Sequence, residues 1–242
     1  MPIVDFEKYC AMLDRAQKGK FAYPAINVFN MDTVNAALEG FAAAKSDGII
    51  QVSSGAAEFA AGSPKKMSVG AISIAEHAHR AAEQYDVNIA LHTDHCVPSK
   101  IDGFMLPLIE ETERRRAEGK SSLYQSHMFD GSELPLDKNM ETAVGLMKRM
   151  QKVNQILEIE AGVVGGEPGR VHGHRAAGHD DRRVRAGAAG AAGRLARLVV
   201  RCGGHGARVD DVELDGRTLI HQLDAADAHE PGQRVHLGLV DL

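Results

Sequence analysis

The 242-residue sequence contains no tryptophan, only three cysteines and no long apolar run. Cys10, Cys96 and Cys202 are widely separated and form no CxxC pair, which argues against a disulfide scaffold and a thiolate zinc site. No segment approaches the roughly 18 apolar residues of a membrane span, and the N-terminus lacks the apolar core of a signal peptide. We therefore expect a cytoplasmic protein that has no membrane partner.

Two further absences concern nucleotides and nucleic acids. No GxGxxG motif follows a strand-like segment and no GxxxxGK[ST] motif occurs, which disfavours a dinucleotide or Walker-type phosphate site. The formal net charge is −5, so the chain has no large positive field to hold a phosphate backbone. Nucleic acid is therefore not an expected partner.

Residue usage changes after Glu167. The 75 residues from Pro168 to Leu242 contain no Phe, Tyr, Met, Ser, Asn or Lys, yet they hold 7 of the 12 histidines. Glycine recurs every few residues, which weakens helices, and aromatic anchors for a core are missing. We divide the chain into residues 1–167 and a Gly/Ala/Arg/His-rich tail, 168–242. We expect the tail to be largely irregular and poorly ordered, with strand-like character only at 197–201 and 209–214.

Residues 1–167 alternate short β-branched runs with longer amphipathic segments, a pattern typical of α/β proteins built from βα units around a parallel sheet. The predicted strands are 22–28, 48–53, 87–92, 122–127 and 155–161, and the predicted helices are 6–18, 32–45, 68–85, 101–119 and 139–151. Five such units suit an open doubly wound sheet or the first part of a (β/α)₈ barrel. Hydrophobic periodicity alone does not distinguish between these two architectures.

Polar residues lie at or just beyond the ends of three predicted strands, where both architectures place their active sites. These residues are His92, Asp94 and His95, then His127 and Asp130, then Glu158 and Glu160. Histidine nitrogen and carboxylate oxygen suit Zn²⁺, which polarises carbonyl groups, while an adjacent carboxylate can move a proton. For His92 and His127 we expect a hydrogen-bonded structural role. For Glu158 and Glu160 the alternative is a half-exposed strand with one polar face.

Five segments carry a family resemblance that covers residues 2–167. In order they are PAINVFNMDTVNAALEGF, DGIIQVSSGAAEFAAG, NIALHTDHC, LYQSHMFDGSELPLDKN and ILEIEAGVVGGE. They resemble the successive blocks of class II, zinc-dependent fructose-bisphosphate aldolases of the long bacterial type. The resemblance implies a (β/α)₈ TIM barrel, homodimeric in the family, of which about the first five βα units are present. It also implies a lyase of glycolysis and gluconeogenesis, acting on a phosphorylated ketose.

The resemblance further implies the reaction and the residues that serve it. The family reversibly cleaves fructose 1,6-bisphosphate into dihydroxyacetone phosphate and glyceraldehyde 3-phosphate. Asp94 matches the family's proton donor, and Ser53 matches a residue that contacts the substrate. His95 matches the first ligand of the catalytic zinc, while Asp130 and Glu160 match carboxylates that hold a second or alternative metal position.

The sequence departs from the family pattern after Glu167. The family continues GGEED, in which the second Glu is the catalytic base, and here Pro168 stands at that position. The histidines that complete the zinc site, the HGGSG phosphate loop and the NVDTD strand end do not follow in the tail. We therefore expect this chain by itself to be inactive, and we expect such a partial barrel to expose strand edges.

Two alternative functions remain open at this point. The related aldolase that acts on tagatose 1,6-bisphosphate differs in substrate at one hydroxyl centre, although the long-type blocks favour fructose. A non-catalytic protein that binds metal or acidic partners through the His- and Arg-rich tail belongs to a different class. Clustered or periodic histidines or arginines would favour it, but those of the tail are scattered among ten acidic residues.

We predict that residues 168–242 are translated in a shifted reading frame. Phe, Tyr, Lys, Asn and Met, which the tail lacks, and Ile, which it contains only once, have AT-rich codons. Gly, Ala and Arg have GC-rich codons, and a shifted frame of a GC-rich gene produces this bias. The nucleotide sequence around codon 167 tests the prediction, because another frame should encode the HGG and NVDTD blocks. If neither alternative frame encodes them, the frameshift hypothesis is wrong.

Overall fold

The computed structural model describes residues 2–160 and four strand segments, 196–200, 207–211, 222–225 and 237–241. Within residues 2–160 the helices are α1 (Phe6–Gly19), α2 (Met31–Ala44), α3 (Ser54–Ala60), α4 (Met67–Ala82), α5 (Leu106–Ala117) and α6 (Leu136–Met150). The strands there are β1 (Ala25–Asn27), β2 (Gly48–Ser53), β3 (Ile89–Cys96), β4 (Ser126–Asp130) and β5 (Ile156–Glu160). A 3₁₀ turn (Pro98–Lys100) and a π-helical turn (Ile101–Met105) join β3 to α5, and another 3₁₀ turn (Gln151–Val153) follows α6. In these described parts, no helix is both long and apolar enough to cross a membrane.

Strands β1 to β5 lie side by side in chain order, and every neighbouring pair is parallel. Helices connect the successive strands, as parallel pairing requires. A doubly wound sheet reverses its strand order at a switch point, whereas a barrel keeps its strands in sequence. The observed order resolves the choice that periodicity leaves open, and the five parallel strands in one sheet confirm an α/β fold of the (β/α)₈ class. A described helix follows each of the first four strands, and residues 161–195 after β5 lie outside the described residues.

The described segments beyond residue 160 pair in antiparallel fashion. They are β6 (Ala196–Val200), β7 (Ala207–Asp211), β8 (Gln222–Ala225) and β9 (Leu237–Asp241). β6 pairs with β5 and β9 pairs with β6, while β7 and β8 form a separate two-stranded sheet. β6 and β7 lie close to the segments predicted as strand-like, whereas the sequence pattern did not predict β8 and β9. The expected irregularity of 168–242 falls mostly outside the described residues.

Strands β3 and β4 depart most from their predicted bounds, because tertiary pairing overrides the local pattern. β3 extends to Cys96, since Asp94 pairs with Ser53 on β2 and Cys96 pairs with Phe129 on β4. β4 begins only at Ser126. Just before it, the backbone N–H of Gln125 donates to the carbonyl of Leu91 at 2.9 Å, and the backbone N–H of Leu91 donates to Gln125 Oε1 at 2.8 Å.

Helix α3 is a further departure, because the sequence reading did not predict it. Ser53 caps it by accepting a hydrogen bond from the backbone N–H of Ala56 at 3.1 Å. Gly70 on α4 packs directly against its backbone, and a Cβ at Gly70 would lie 1.9 Å from the carbonyl oxygen of Ala57. A short helix held by this close approach leaves little trace in hydrophobic periodicity.

Apolar packing covers the outer face of the sheet and closes one end of its inner face. The main core contains Leu38, Ile50, Leu91, Leu108 and Phe129, all essentially buried. A second cluster joins Tyr9 and Met12 of α1 to Ala90 on β3 and Ile156 on β5. Alternation places Ala90 on the face of His92 and Asp94, and Ile156 on the face of Glu158 and Glu160. Helix α1 therefore closes the inner face at the end opposite the polar residues.

Strand β1 forms one outer edge of the parallel sheet. All three of its residues are exposed, including Ile26 at 43%. Phe21 before it and Phe29 after it are exposed by 49% and 45%. This edge matches the expectation that a partial barrel exposes strand edges.

His127 lies fully buried on the outer face of β4 and completes a polar network between three strands. Gln155 Nε2 donates to His127 Nε2 at 3.1 Å, so the imidazole proton resides on Nδ1 and is donated to Thr93 Oγ1 at 2.7 Å. Gln155 Nε2 also donates to the carbonyl of Tyr124 at 2.9 Å. Burial lowers the pKa of His127 to about 3. The histidine is therefore a neutral structural group, as predicted from the sequence.

We predict that His127 makes the fold sensitive to acid. Its folded-state pKa of about 3 lies below the ordinary value of about 6.5, so the unfolded chain takes up the proton first. The contribution of His127 to stability is complete above about pH 6.5 and is lost as the pH falls toward 3, by up to about 1.4 kcal/mol per pH unit. Urea unfolding at several pH values should show a shallower acid slope in His127→Gln.

The matched control is His77→Gln, because His77 lies partly exposed on α4, where its Nε2 bonds to Asn35. This variant should keep the acid slope of the wild type. Equal slopes for the wild type and His127→Gln would show that the buried imidazole does not govern acid unfolding.

Candidate functional site

Polar side chains meet at the carboxyl ends of the parallel strands. Ser53 and Asp94 are register partners on β2 and β3, and Asp130 and Glu160 are register partners on β4 and β5. Register partners in a sheet stand on the same face, so each pair is brought together by strand pairing alone. Four of the five residues singled out from the sequence are thus placed at one edge of the sheet.

His95 is the fifth residue, and an unusual backbone conformation accompanies its position. Strict alternation would turn it away from Asp94, but its φ is +42°, in the left-handed region, and the pairing of β3 with β4 is irregular between Thr93 and Cys96. Its Nδ1 lies 3.1 Å from Asp130 Oδ2 and 3.5 Å from Glu160 Oε2. Its Nε2 lies 3.9 Å from Asp94 Oδ1. The imidazole therefore sits among three carboxylates.

His95, Asp130 and Glu160 form a group that could hold a metal ion. One ligand atom from each residue lies within 4.8 Å of the other two. The His95 side chain is 44% exposed, whereas that of Glu160 is 5% exposed, so the group opens to solvent on the histidine side. One imidazole and two carboxylates form a donor set of the kind that divalent transition metals accept.

The electrostatics of the group follow from this crowding of negative charge. Burial by itself would lower the pKa of His95, but the hydrogen bond with Asp130 and the charges of Asp94 and Glu160 outweigh it, so the pKa is raised. Burial would raise the pKa of Asp130, but hydrogen bonds from Ser132 and His95 outweigh it, so the pKa is lowered. The site therefore favours a cation, either a proton on His95 or a metal ion.

Neighbouring groups hold the carboxylate of Asp130 and the backbone of Glu160. Ser132 Oγ and its backbone N–H donate to Asp130 Oδ1 at 2.6 and 3.1 Å. Asn139 Nδ2 on α6 donates to the backbone carbonyl of Glu160 at 2.7 Å. Gly131 lets Asn139 approach, because a Cβ at Gly131 would lie 2.5 Å from its side chain. The loop after β4 and the start of α6 thus hold the ends of β4 and β5 in place.

Asp94 is held by residues that the sequence reasoning missed. Asn27 Nδ2 on β1 donates to Asp94 Oδ2 at 3.0 Å, and Gln51 Nε2 on β2 donates to Asn27 Oδ1 at 3.3 Å. Asn27 and Gln51 are register partners, so their side chains share one face. Polar residues in two otherwise apolar strands were the available signal for this chain of amides.

A second polar layer lies one step below the site on the same strand faces. His92 Nδ1 bonds to Ser126 Oγ at 2.7 Å, and His92 Nε2 lies 3.6 Å from Glu158 Oε2. His92 thus has the hydrogen-bonded structural role expected for it, and Glu158 belongs with His92 rather than with the metal group. Glu158 and Glu160 share one face of β5, but Glu158 lies near His92 whereas Glu160 lies near His95.

Comparisons with known proteins show that the chain is similar to one enzyme family. The family described as fructose-bisphosphate aldolase class-II matches residues 7–191. The fructose-bisphosphate aldolase of Corynebacterium glutamicum is 51% identical over 168 residues, covering 69% of this chain and 49% of that protein. The fructose-bisphosphate aldolase of Mycobacterium leprae is 49% identical over 174 residues, covering 72% of this chain and 50% of that protein. The chain spans about half the length of these curated relatives.

A solved structure gives the same picture for the fold. The crystal structure of the fructose-bisphosphate aldolase of Campylobacter jejuni matches with a TM-score of 0.63 and 36% sequence identity. The match covers 68% of this chain and 48% of that chain. The structural match, like the sequence matches, therefore covers about half of the related protein.

Proposed function

The chain belongs to the class II fructose-bisphosphate aldolases, and from this premise we propose that residues 2–167 supply half of such an active site. The reaction is the reversible cleavage of fructose 1,6-bisphosphate into dihydroxyacetone phosphate and glyceraldehyde 3-phosphate. The observation that carries the proposal is the convergence of the His95, Asp130 and Glu160 ligand atoms within 4.8 Å, beside Asp94. A glycolytic substrate of this kind also favours a cytoplasmic location.

The donor set fits a zinc ion. Glu160 is buried, and three carboxylates surround one imidazole, so a divalent cation would compensate an excess of negative charge. We assign His95 to the catalytic zinc, and Asp130 and Glu160 to a second or alternative metal position. Zinc, when bound, polarises a carbonyl oxygen as a Lewis acid.

Asp94 moves the proton in the proposed reaction. Cleavage of the carbon–carbon bond requires a substrate hydroxyl group to lose its proton, and synthesis requires the same group to regain it. A carboxylate at the end of the strand can accept this proton and return it. Asn27 occupies Asp94 Oδ2 and so fixes the plane of the carboxylate, which keeps Oδ1 on the side of His95. Asp94 is only 6% exposed, so few water molecules compete for its proton.

Ser53 contacts the phosphorylated ketose. Its Oγ accepts the backbone hydrogen bond of Ala56, so its own hydroxyl proton can be donated to a ligand. The names of the relatives at about 50% identity favour fructose bisphosphate over tagatose bisphosphate. Residues 168–242, translated in a shifted frame, contribute nothing to this site in the proposal.

We predict that zinc stabilises the fold through His95. In EDTA-treated protein, zinc added at about 100 times its dissociation constant should raise the free energy of unfolding by about 2.7 kcal/mol, since it binds only the folded site. The increment should vanish in His95→Ala and shrink in Glu160→Gln. Without metal, Glu160→Gln should be at least as stable as the wild type, because one buried like charge is removed. Urea unfolding with and without zinc measures each value.

The control variants distinguish zinc bound at this site from zinc bound by other residues. His95→Ala keeps all seven histidines of the tail, so zinc bound there would still act on it. His77→Ala and Glu141→Gln should behave as the wild type, since Glu141 is an exposed partner of Lys138. Full zinc stabilisation of His95→Ala would place the metal elsewhere.

We predict activity in a chimera that joins residues 2–167 to the second half of the Corynebacterium glutamicum aldolase. The chimera should cleave fructose 1,6-bisphosphate with zinc, whereas the 242-residue chain alone should not. Asp94→Asn should lower kcat by about 10²- to 10⁴-fold, because proton transfer is lost. Asn27→Ala should lower kcat about tenfold with little change in KM, because it only positions Asp94.

A control variant and two contrary outcomes complete the test with the chimera. Glu141→Gln should keep full activity. A folded, zinc-binding chimera without turnover would contradict the proposed function, and zinc-dependent turnover by the chain alone would contradict the proposal that it supplies half a site.

A further inference from the structure

The backbone of β1 is paired with β2 on one side and open on the other. The N–H of Val28 donates to a carbonyl of β2, and the carbonyl of Pro24 accepts from an N–H of β2, both at 2.9 Å. Both backbone groups of one residue point to the same side of a strand, and successive residues alternate. The N–H and carbonyl groups of Ala25 and Asn27 therefore face the open side, where the described residues supply no neighbouring strand.

Proline and charged side chains commonly keep an edge strand from pairing, but neither protects the open side of β1. Pro24 lacks an N–H, yet that group would face β2, so the proline removes no donor from the open side. None of the three residues of β1 is charged, and Ile26 at its centre is 43% exposed. The strand is short, so residues that flank it must also contribute to a stable contact.

The open side of β1 is complementary to itself. In a two-fold antiparallel pair centred on Ile26, Ala25 lies opposite Asn27 of a second copy. Both residues direct their backbone groups outward, so each such pair exchanges two hydrogen bonds. Ile26 then faces its counterpart at a non-hydrogen-bonded position, where the Cα atoms are about 4.5 Å apart and the side chains are in contact.

The flanking residues extend this complementarity. Equal steps outward from the central isoleucine match Tyr23 with Phe29, Phe21 with Met31 and Lys20 with Asp32. The first two matches join aromatic or apolar side chains, and the third joins opposite charges. All of these residues except the tyrosine are exposed, Met31 by 61%. Antiparallel pairing directs each residue toward its match in the other copy, which favours a second copy over an unrelated strand.

We propose that two copies of this chain associate through antiparallel pairing of β1 about Ile26, which joins their parallel sheets edge to edge. The pairing uses the backbone of Asn27, while its side chain continues to donate to Asp94. The two parallel sheets then run in opposite directions, so the two metal groups lie at opposite edges and neither copy completes the site of the other. The association is therefore independent of the proposed function.

Sedimentation velocity of the 242-residue chain at several concentrations measures the association. Ile26→Lys should weaken dimerisation at least about tenfold, because like charges would face each other across the two-fold axis. Ile26→Glu should weaken it similarly. An equimolar mixture of the two variants should dimerise, because opposite charges then meet. Glu141→Lys, which places a lysine at an exposed position on α6, should dimerise as the wild type does.

Three outcomes would overturn the proposal, with urea unfolding used to establish that each variant folds. The first is a wild type that remains monomeric. The second is an Ile26→Lys variant that dimerises as the wild type does, since this would place the contact on another surface. The third is a mixture of Ile26→Lys and Ile26→Glu that remains monomeric.

Amide hydrogen exchange identifies the side of the strand that is used. The amide protons of Ala25 and Asn27 should exchange more slowly as the protein concentration rises, because they become hydrogen-bonded. Those of Ile26 and Val28 should not change, because they face β2. Slowing of all four amides alike, or of none, would contradict pairing through the open side.

A cross-link tests the position of the two-fold axis. Ile26→Cys should form a disulfide-linked dimer under mild oxidation, because the Cα separation of about 4.5 Å lies within the range of disulfides. The wild type, which keeps the three native cysteines, and Glu141→Cys serve as the baseline. Cross-linking of Ile26→Cys no greater than this baseline would overturn pairing about Ile26.

Discussion

Parallel register between neighbouring strands is the constraint on which the site depends. Because the strands run in the same direction, all their carboxyl ends lie at one edge, and register pairing sets Ser53 beside Asp94 and Asp130 beside Glu160. Helix α1 closes the opposite end of the inner face with apolar side chains. The polar residues are thus confined to the open end. A register shift of one residue would turn them to the outer face.

The same arrangement concentrates negative charge in one part of the site. On β4 and β5 the buried and half-buried carboxylates raise the pKa of His95 and favour a cation. Asn27 fixes Asp94 beside them through a neutral amide, which orients the carboxylate without compensating its charge.

The sequence predicts the strands of the parallel sheet and which of their ends carry chemistry, because these depend on local pattern and motif. It does not predict how far β3 extends, since its last residues are polar and are held by pairing with β2 and β4. It also misses Asn27 and Gln51, because an amide in a strand acquires its role only when register brings it to a partner. The turn of His95 toward Asp130 depends on a left-handed φ that histidine adopts only in a fixed tertiary setting.

The exposed edge at β1 has a consequence for association of this chain. Phe21, Ile26 and Phe29 expose nearly half of their surface each, and β1 stands at the end of the parallel sheet. An apolar edge strand of this kind is a template on which a strand of another molecule can pair.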